Sequence, residues 1–495
     1  MQFPILSVII FTPLLAGIIL LLLPADRKTL FRRIALAAAT ITLALSVVVY
    51  ASYDIAAGGY QFREELAWLP QLGISYLTGV DGISAPLLLM AGVVIFCGVL
   101  VSWNVEDRPR EFFAFLMFLG TSVFGVFASL DLFMLFFFFE IAVFPKYLMI
   151  ILWGSPKTRE YGGMKLTLYL FIGSVVALIG ALGLYLAAGA ASGQYTFNML
   201  ELEKAGLPMD VQRLWFPFVF FGFAILGGIF PFHSWAPDGH VAAPTAISML
   251  LAGVEMKVGA FAALRVGIML LPDGARFWAP LVLILATINV VYGAFIAMIQ
   301  TDFKYVIGFS SVSHMGLVMI GFATLNQDGL LGAGMQMFSH GVMTALFFAV
   351  VGMVYDRAHT REISKLGGFY QKMPLAGLGF IVAGLVSMGM PGFSGFAAEF
   401  PIFMGAWQTA PVVAMIAAIG IVITAAYILL VVRRVFFGEM PAELAETVTG
   451  IHWQDKVAIV LLMCFMIGIG LFPTLMTNMV QSGVGHVLSL LGGGA

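Results

Sequence analysis

Long apolar runs, interrupted at short intervals by clusters of charge, Gly and Pro, account for almost the whole chain. A bilayer core of about 30 Å takes roughly 20 apolar residues per helical crossing. On that scale the runs predict fourteen spans, over 2–23, 30–51, 80–103, 112–130, 131–153, 165–190, 214–235, 244–271, 278–300, 304–323, 330–356, 374–404, 410–432 and 456–480. Only Ser129-Leu130-Asp131 separates the fourth from the fifth. Barrel strands would alternate apolar and polar residues with period two, which these runs do not. The pattern predicts an all-α polytopic membrane protein. The longest connections, near 52–79, 190–213 and 433–455, are too short for a catalytic domain. Met1-Gln2-Phe3-Pro4-Ile5 lacks a positive charge, and no small-residue cleavage site follows its run, so the first span reads as a retained helix rather than a signal peptide. The tail from Gly492 to Ala495 is expected to fray.

The polar positions orient the array. With the N-terminus outside, the inward loops hold 17 of the 24 Lys and Arg residues, among them Arg27, Arg108, Lys157, Lys304, Arg357 and Arg434. The outward loops hold Arg63, Lys204, Arg213 and Arg276, and Lys146, Lys257 and Arg265 fall within spans. A missed or extra helix would scramble a ratio of 17 to 4, so positive charge marks the inner side and both termini are expected outside.

Composition narrows the class. The 495 residues are 61% hydrophobic and 10% charged, where soluble domains run at about 45–50% and 25%. Most of this surface therefore faces a lipid bilayer. A net charge of −2 with no basic patch argues against nucleic acid. Cys97 and Cys464 sit singly in apolar runs, so metal, iron–sulfur and thiol-redox sites are not expected. There is neither a GxGxxG after a strand nor a GxxxxGK[ST], so the chain itself offers no dinucleotide or ATP site. Ion movement would be driven by a gradient or by a partner.

Two spans carry helix-breaking segments: Gly227-Gly228-Ile229-Phe230-Pro231-Phe232-His233 in the seventh and Gly389-Met390-Pro391-Gly392-Phe393-Ser394-Gly395 in the twelfth. Such breaks in matching positions point to an inverted-repeat transporter fold, although Gly and Pro are common in membrane helices generally. A separation of five spans fits two five-helix units, spans 4–8 and 9–13. The expected division is 1–111 for an N-terminal three-helix segment, 112–271 and 278–437 for the two repeats, and 438–495 for the last loop and helix.

Glu140, Lys146, Glu255, Lys257, Arg265 and Glu399 lie inside spans. Unpaired at helix centres they would cost on the order of 15–20 kcal/mol together, so three acids and three bases are expected to pair or neutralise one another. Arg265 is close enough to a span end to snorkel, and Lys146 has the same option. Glu140, Lys257 and Glu399 sit deeper, where buried carboxyls and amines can load and release protons. Glu255 and Lys257 are about 200° apart on a helix and do not share a face. His314 and His340 lie mid-span on adjacent helices and could simply bond Ser310, Ser313 or Thr344; haem ligation would want a second such pair. His233, beside the first break, is a candidate proton carrier.

These segments resemble the antiporter-like subunits of respiratory complex I. The resemblance rests on Gly79-Val80-Asp81-Gly82-Ile83-Ser84, Pro231-Phe232-His233-Ser234-Trp235-Ala236-Pro237-Asp238-Gly239-His240 with Ala243-Pro244-Thr245, and Leu251-Ala252-Gly253-Val254-Glu255-Met256-Lys257. It extends to Asp302-Phe303-Lys304, Ser310-Ser311-Val312-Ser313-His314-Met315-Gly316 and the stretch from Pro391 to Glu399. Gln336-Met337-Phe338-Ser339-His340-Gly341, the run Val354 to Glu362 and a glutamate in the twelfth span are similar to the subunit M (chain 4) branch. The resemblance implies fourteen helices, an inverted repeat, and redox-driven proton pumping with no cofactor in this chain. NADH, FMN, iron–sulfur clusters and quinone would belong to partner subunits, and neighbouring antiporter-like subunits would flank the chain in a bacterial-type inner membrane. It further implies Glu140 as the fifth-helix acid, Lys257 as the central carrier, Glu399 at the exit side, and His314 and His340 between them. Alternatives from the same likeness are a subunit of an Mrp-type cation/proton antiporter and a membrane arm linked to a hydrogenase or another electron source. One departure stands out: the family's seventh-helix lysine is missing from Ala224-Ile225-Leu226-Gly227-Gly228, while the fifth span carries Lys146. Lys146 is therefore expected to serve as counter-charge to Glu140.

Overall fold

The computed structural model describes residues 3–492. Among them, thirteen helices are long and apolar enough to cross a membrane: Ile5–Leu22, Lys28–Ser52, Ser84–Val101, Pro109–Ala128, Leu132–Trp153, Arg159–Ser192, Met209–Leu226, Thr245–Ile268, Pro272–Ile299, Phe303–Thr324, Gln327–Ala358, Pro411–Phe436 and Trp453–Leu471. The expected twelfth span is split into Pro374–Ser387 and Ser394–Thr409, so it falls short as a single helix. Spans are numbered below in that order, with the split one as span 12. The last three residues of the tail, 493–495, lie outside the described region.

Three expectations need correction. The connection over 52–79 contains an antiparallel hairpin of β1 (Gln61–Leu69) and β2 (Ile74–Val80), so the fold is not purely helical. The last span stops at Leu471, where Pro473 ends the helix, and a separate helix follows over Thr474–Leu490. That helix runs along the face bearing the hairpin: Leu475 O accepts from Tyr50 Oη at 2.6 Å, and His486 Nε2 lies 3.2 Å from Glu203 Oε2. Thirdly, Arg265 does not snorkel. It is 3% exposed and bonds Asp81 Oδ1 at 2.7 Å and Tyr60 Oη at 2.9 Å.

Pairing in the structure respects the alternation of sides. Lys28 and Arg32 meet Glu106, Lys165 meets Asp238, and Arg361 meets Asp302, all within the positive face. The N-terminal helix is tied to the hairpin on the opposite face by the Leu6 amide and Glu64 Oε1 at 2.8 Å.

The two broken helices end in the same way. Gly228 (φ +78°) donates to Ile225 O at 3.0 Å and Ile229 to Ala224 O at 3.1 Å; Gly389 (φ +62°) donates to Val386 O at 3.0 Å and Met390 to Leu385 O at 3.0 Å. Each pair is a Schellman closure, which needs a left-handed residue that glycine adopts without strain. The fifth and tenth spans also start alike. Asp131 Oδ1 caps Met134 N at 3.0 Å, and Asp302 Oδ1 caps Lys304 N at 2.8 Å. Asp131 bridges to Asn198 beside the hairpin, whereas Asp302 bridges to Glu362 on the opposite face. Features five spans apart thus recur with their ends exchanged.

The first break is sealed by Asn289 of span 9, which accepts from Phe230 N at 2.6 Å and donates to Gly228 O at 2.7 Å. Asn289→Ala leaves both backbone groups unsatisfied, and we expect a loss of about 1–3 kcal/mol for each. A lowered midpoint in thermal unfolding of the purified protein checks this.

Candidate functional site: a buried polar line through the bundle

Glu140, Lys257, His314 and His340 each lie near the middle of a span, so straight packing places them at similar depth. Span 8 carries the central group. Its helix loosens into π-helical turns over Leu251–Glu255 and Ala263–Ile268, on either side of Lys257. Such turns add a residue per turn and leave carbonyls open to other donors. The Lys257 ammonium uses one, donating to the Ala252 carbonyl of its own helix, and the side chain is fully buried. Two glycines bring neighbours close. A Cβ on Gly259 would lie 2.5 Å from the Gly227 nitrogen at the first break, and a Cβ on Gly253 would lie 3.0 Å from the Gly341 carbonyl of span 11.

That contact leads to His340, buried, with both ring nitrogens free of hydrogen bonds. Lys257, His314 and His240 are among the titratable groups whose charge acts on it. The His314 ring stacks on His340 with centroids 5.3 Å apart and planes at 17°. His314 bonds the Ser310 carbonyl through Nδ1 at 2.8 Å and the Ser387 carbonyl through Nε2 at 3.1 Å. Ser387 is the last residue before the second break, where helix-end carbonyls lack helical donors. The break thus supplies the acceptor. Beyond it Glu399 Oε1 lies 3.6 Å from His314 Nε2 and accepts from Gln336 Nε2 at 3.0 Å, while Oε2 is unpartnered. Ser339 and Ser394 hydrogen-bond at 2.8 Å, tying span 11 to the second half of span 12.

At the other end of the line, Lys146 is 1% exposed and pairs with Glu255 Oε2 at 2.9 Å. It neither snorkels nor pairs with Glu140 in this arrangement, which corrects both expectations for it. Its acid comes from span 8. Glu140 Oε1 has no hydrogen-bond partner, and Lys146 and Ser174 are the groups acting on that carboxyl. Near the missing seventh-helix lysine, Leu226 is buried and Trp235 Nε1 takes up the Ile225 carbonyl at 2.8 Å. His233 is not brought into the line; its ring stacks on Phe230 and meets Tyr292 edge-on at 5.1 Å.

Sequence reasoning passed over His240. It sits on a short helix, Trp235–Ala242, between spans and was therefore not counted at membrane depth. It is fully buried, both ring nitrogens are unpartnered, and Lys304 and Lys257 are the cations around it. Lys304 in turn donates to the Ala243 carbonyl at 2.6 Å and lines a cavity of about 620 Å³ on the positive face, together with Asn104, Asp356, Arg357 and His452.

Fold and site together define a polytopic helical membrane protein whose core buries Lys257, the stacked His340 and His314, and Glu399. Residues 129–424 match the family described as NADH:quinone oxidoreductase/Mrp antiporter, TM, and the chain belongs to that family. It is 36% identical, over 98% of its length and 96% of the relative's, to a protein of Rhodobacter capsulatus named NADH-quinone oxidoreductase subunit M. A chain from respiratory complex I of Thermus thermophilus superposes with a TM-score of 0.90 at 28% identity, covering 99% of this chain and all of the other. A chain of the Mrp complex from Dietzia sp. shares the fold with a TM-score of 0.86 at 18% identity, over 99% of this chain and 100% of that one.

Proposed function

We propose that this chain is a proton-translocating membrane subunit of a complex I type NADH:quinone oxidoreductase. The observation that carries this is 36% identity over nearly the full length to a subunit M, combined with a buried Lys257 and the stacked His340 and His314 leading to Glu399. In this reading Glu140 is the fifth-helix acid, Lys257 the central carrier, the two histidines the relay, and Glu399 the group that hands the proton on. Protons enter from the cavity on the positive face by way of Lys304 and His240. The chain contributes no redox site; NADH, FMN, iron–sulfur clusters and quinone are held by partner subunits, with neighbouring antiporter-like subunits alongside. The orientation follows from the positive loops: the cavity face lies inside, and the face bearing the hairpin and both termini lies outside a bacterial inner membrane. The matched breaks and exchanged caps support two inverted units over 112–271 and 278–437.

The Mrp antiporter reading is supported by the shared family model and the shared fold. Affinity purification of the native assembly through a tag on this chain separates the two. We expect flavin and iron–sulfur absorbance to co-purify, and NADH oxidation to acidify inverted vesicles. A tagged chain that brings no redox subunits, in membranes exchanging Na+ for H+ without an electron donor, would overturn the proposal.

A further inference from the structure

Both nitrogens of the His314 ring face carbonyl oxygens, Nδ1 the Ser310 carbonyl at 2.8 Å and Nε2 the Ser387 carbonyl at 3.1 Å. A carbonyl only accepts, and a neutral imidazole has one N–H, so the charged ring alone satisfies both contacts. The Ser387 carbonyl is open for a reason written in the sequence. In an unbroken helix it would take the N–H of the residue four positions on, which is Pro391 and has none. The same serine brings a second group to the same nitrogen, because its Oγ lies 3.3 Å from Nε2. Ser387 and His314 are buried, and Glu399 Oε1 lies 3.6 Å from Nε2. His340, stacked on His314, has no partner on either nitrogen, so a charged ring there would leave two N–H groups unsatisfied. From the other elements, Lys257 of span 8 acts on His314 by its charge, and Tyr427 of span 13 donates to Ser310 Oγ at 2.7 Å. Span 9 presents Asn289, which does not titrate, and Asp238 of the short helix bonds Tyr305 further along span 10.

From this geometry we propose that Ser387 is a two-way positioning residue for His314. Its carbonyl receives the Nε2–H of the charged ring, and its hydroxyl donates to Nε2 once the ring is neutral. The charge of the relay therefore rests on His314, not on His340, before Glu399 takes the proton. The inference rests on the proton-relay reading given above. In the loaded form His314 carries two N–H groups, each bonded to a carbonyl, and faces the Glu399 carboxylate. The proton then leaves Nε2 for that carboxylate, giving a neutral ring and a neutral acid, while Nδ1–H stays on the Ser310 carbonyl. Nε2 is left with a lone pair, which the Ser387 hydroxyl satisfies by donating to it. On reloading, the hydroxyl turns to the Tyr427 oxygen, which lies within its reach. Ring and acid sum to zero charge before and after, which keeps the transfer cheap in a low-dielectric interior. Ser387 never holds the transferred proton; it acts through His314.

The test uses the whole complex in inverted membrane vesicles, where the bath is the inner side, and reads protons pumped per NADH against bath pH. Ser387→Ala keeps the carbonyl and removes the hydroxyl, so the neutral ring loses its donor and His314 holds its proton more tightly. One hydrogen bond of ordinary strength shifts such a balance about fivefold, so the profile should move up by about 0.7 pH unit. Ser387→Thr keeps both groups and should restore the wild-type profile. Pro391→Ala gives the Ser387 carbonyl a backbone donor, so the charged ring loses its acceptor and the profile should move down. A residue that merely packs would lower pumping evenly at every pH. An unshifted profile in Ser387→Ala, or shifts of the same sign in Ser387→Ala and Pro391→Ala, overturns the proposal. Should the alanine variant fail to assemble, Ser387→Cys replaces the hydroxyl by a weaker donor. An upward shift there supports the proposal and an unshifted profile refutes it. Lys257→Ala runs alongside. If it stops pumping while the Ser387 profiles stay put, only this proposal fails. If it pumps normally, the relay reading fails and takes this proposal with it.

Discussion

Lys257→Ala should abolish proton pumping in assembled complex. The ammonium is fully buried on a span loosened by π-helical turns on both sides, with span 11 held against it by the Gly253–Gly341 approach. Alanine removes the titratable group of span 8 and leaves a gap that the buried histidines beyond it cannot bridge alone. Tenfold in rate needs only about 1.4 kcal/mol of barrier, and losing a charge carrier in a low-dielectric core costs more than that. We expect NADH-driven acidification of inverted vesicles to fall more than about tenfold. The variant should still assemble, because the Lys257 ammonium bonds only a carbonyl of its own helix and breaks no ion pair when removed. Blue-native electrophoresis checks assembly, and acridine-dye quenching checks pumping.

Asp81→Ala should be the most destabilising single change on the hairpin face. Asp81 is 2% exposed, accepts from the Arg265 guanidinium at 2.7 Å, and caps its own turn by accepting from the Ile83 and Ser84 amides at 3.1 and 2.8 Å. Removing it strands the buried Arg265 charge, whose remaining polar partners are the Tyr60 hydroxyl and the Met269 sulfur. Breaking one side of a buried pair costs about 3–5 kcal/mol, a large part of a typical margin of stability. The cluster also joins the open end of the hairpin to the C-terminal helix: Tyr60 meets the His486 ring edge-on at 5.7 Å, and His486 lies beside Glu203. We therefore expect little assembled complex at growth temperature, with the residue recovered at a lower unfolding midpoint. Asp81→Asn keeps the turn's acceptor and should lose less. Equal abundance of Asp81→Ala and wild type in membranes would contradict this account.

Spans were legible because lipid imposes one simple rule: backbone groups must be satisfied within helices, and their outward faces must be apolar. The fourth and fifth spans were separable despite a three-residue turn, because Asp131 is a capping residue and in fact caps the fifth. Where helices stop being the only solution, the pattern failed. Residues of β1 are mostly exposed and show no clean alternation, so the hairpin left no period-two signal. Pro473 sits inside one hydrophobic stretch, which hid the boundary between the last span and the helix lying on the hairpin face.

The site was legible as a set of residues and illegible as a set of pairs. Depth picked out Glu140, Lys257 and Glu399, and the family resemblance added His314 and His340. Partners, however, come from far along the chain: Lys146 finds Glu255 at a separation of 109 residues, and Arg265 finds Tyr60 at 205. No local spacing encodes such contacts. Lys146 and Arg265 accordingly read as snorkelling residues, because the acids that keep them inside were not visible. His240 escaped for the opposite reason. It lies on a short helix folded back into the bundle, at a point where a count of spans sees only a loop.

The central claim is that one file of side chains carries the proton from Lys257 to Glu399, with the stacked histidines as its middle. The measurement that tests it most directly is the number of protons pumped per NADH by Lys257→Ala, by His340→Leu and by the two combined, in vesicles matched for quinone reduction. Groups acting in series are non-additive, so the account predicts that each single variant loses pumping and that the pair loses no more than either alone. Near-normal pumping by His340→Leu, or a combined loss equal to the product of the two, would contradict it.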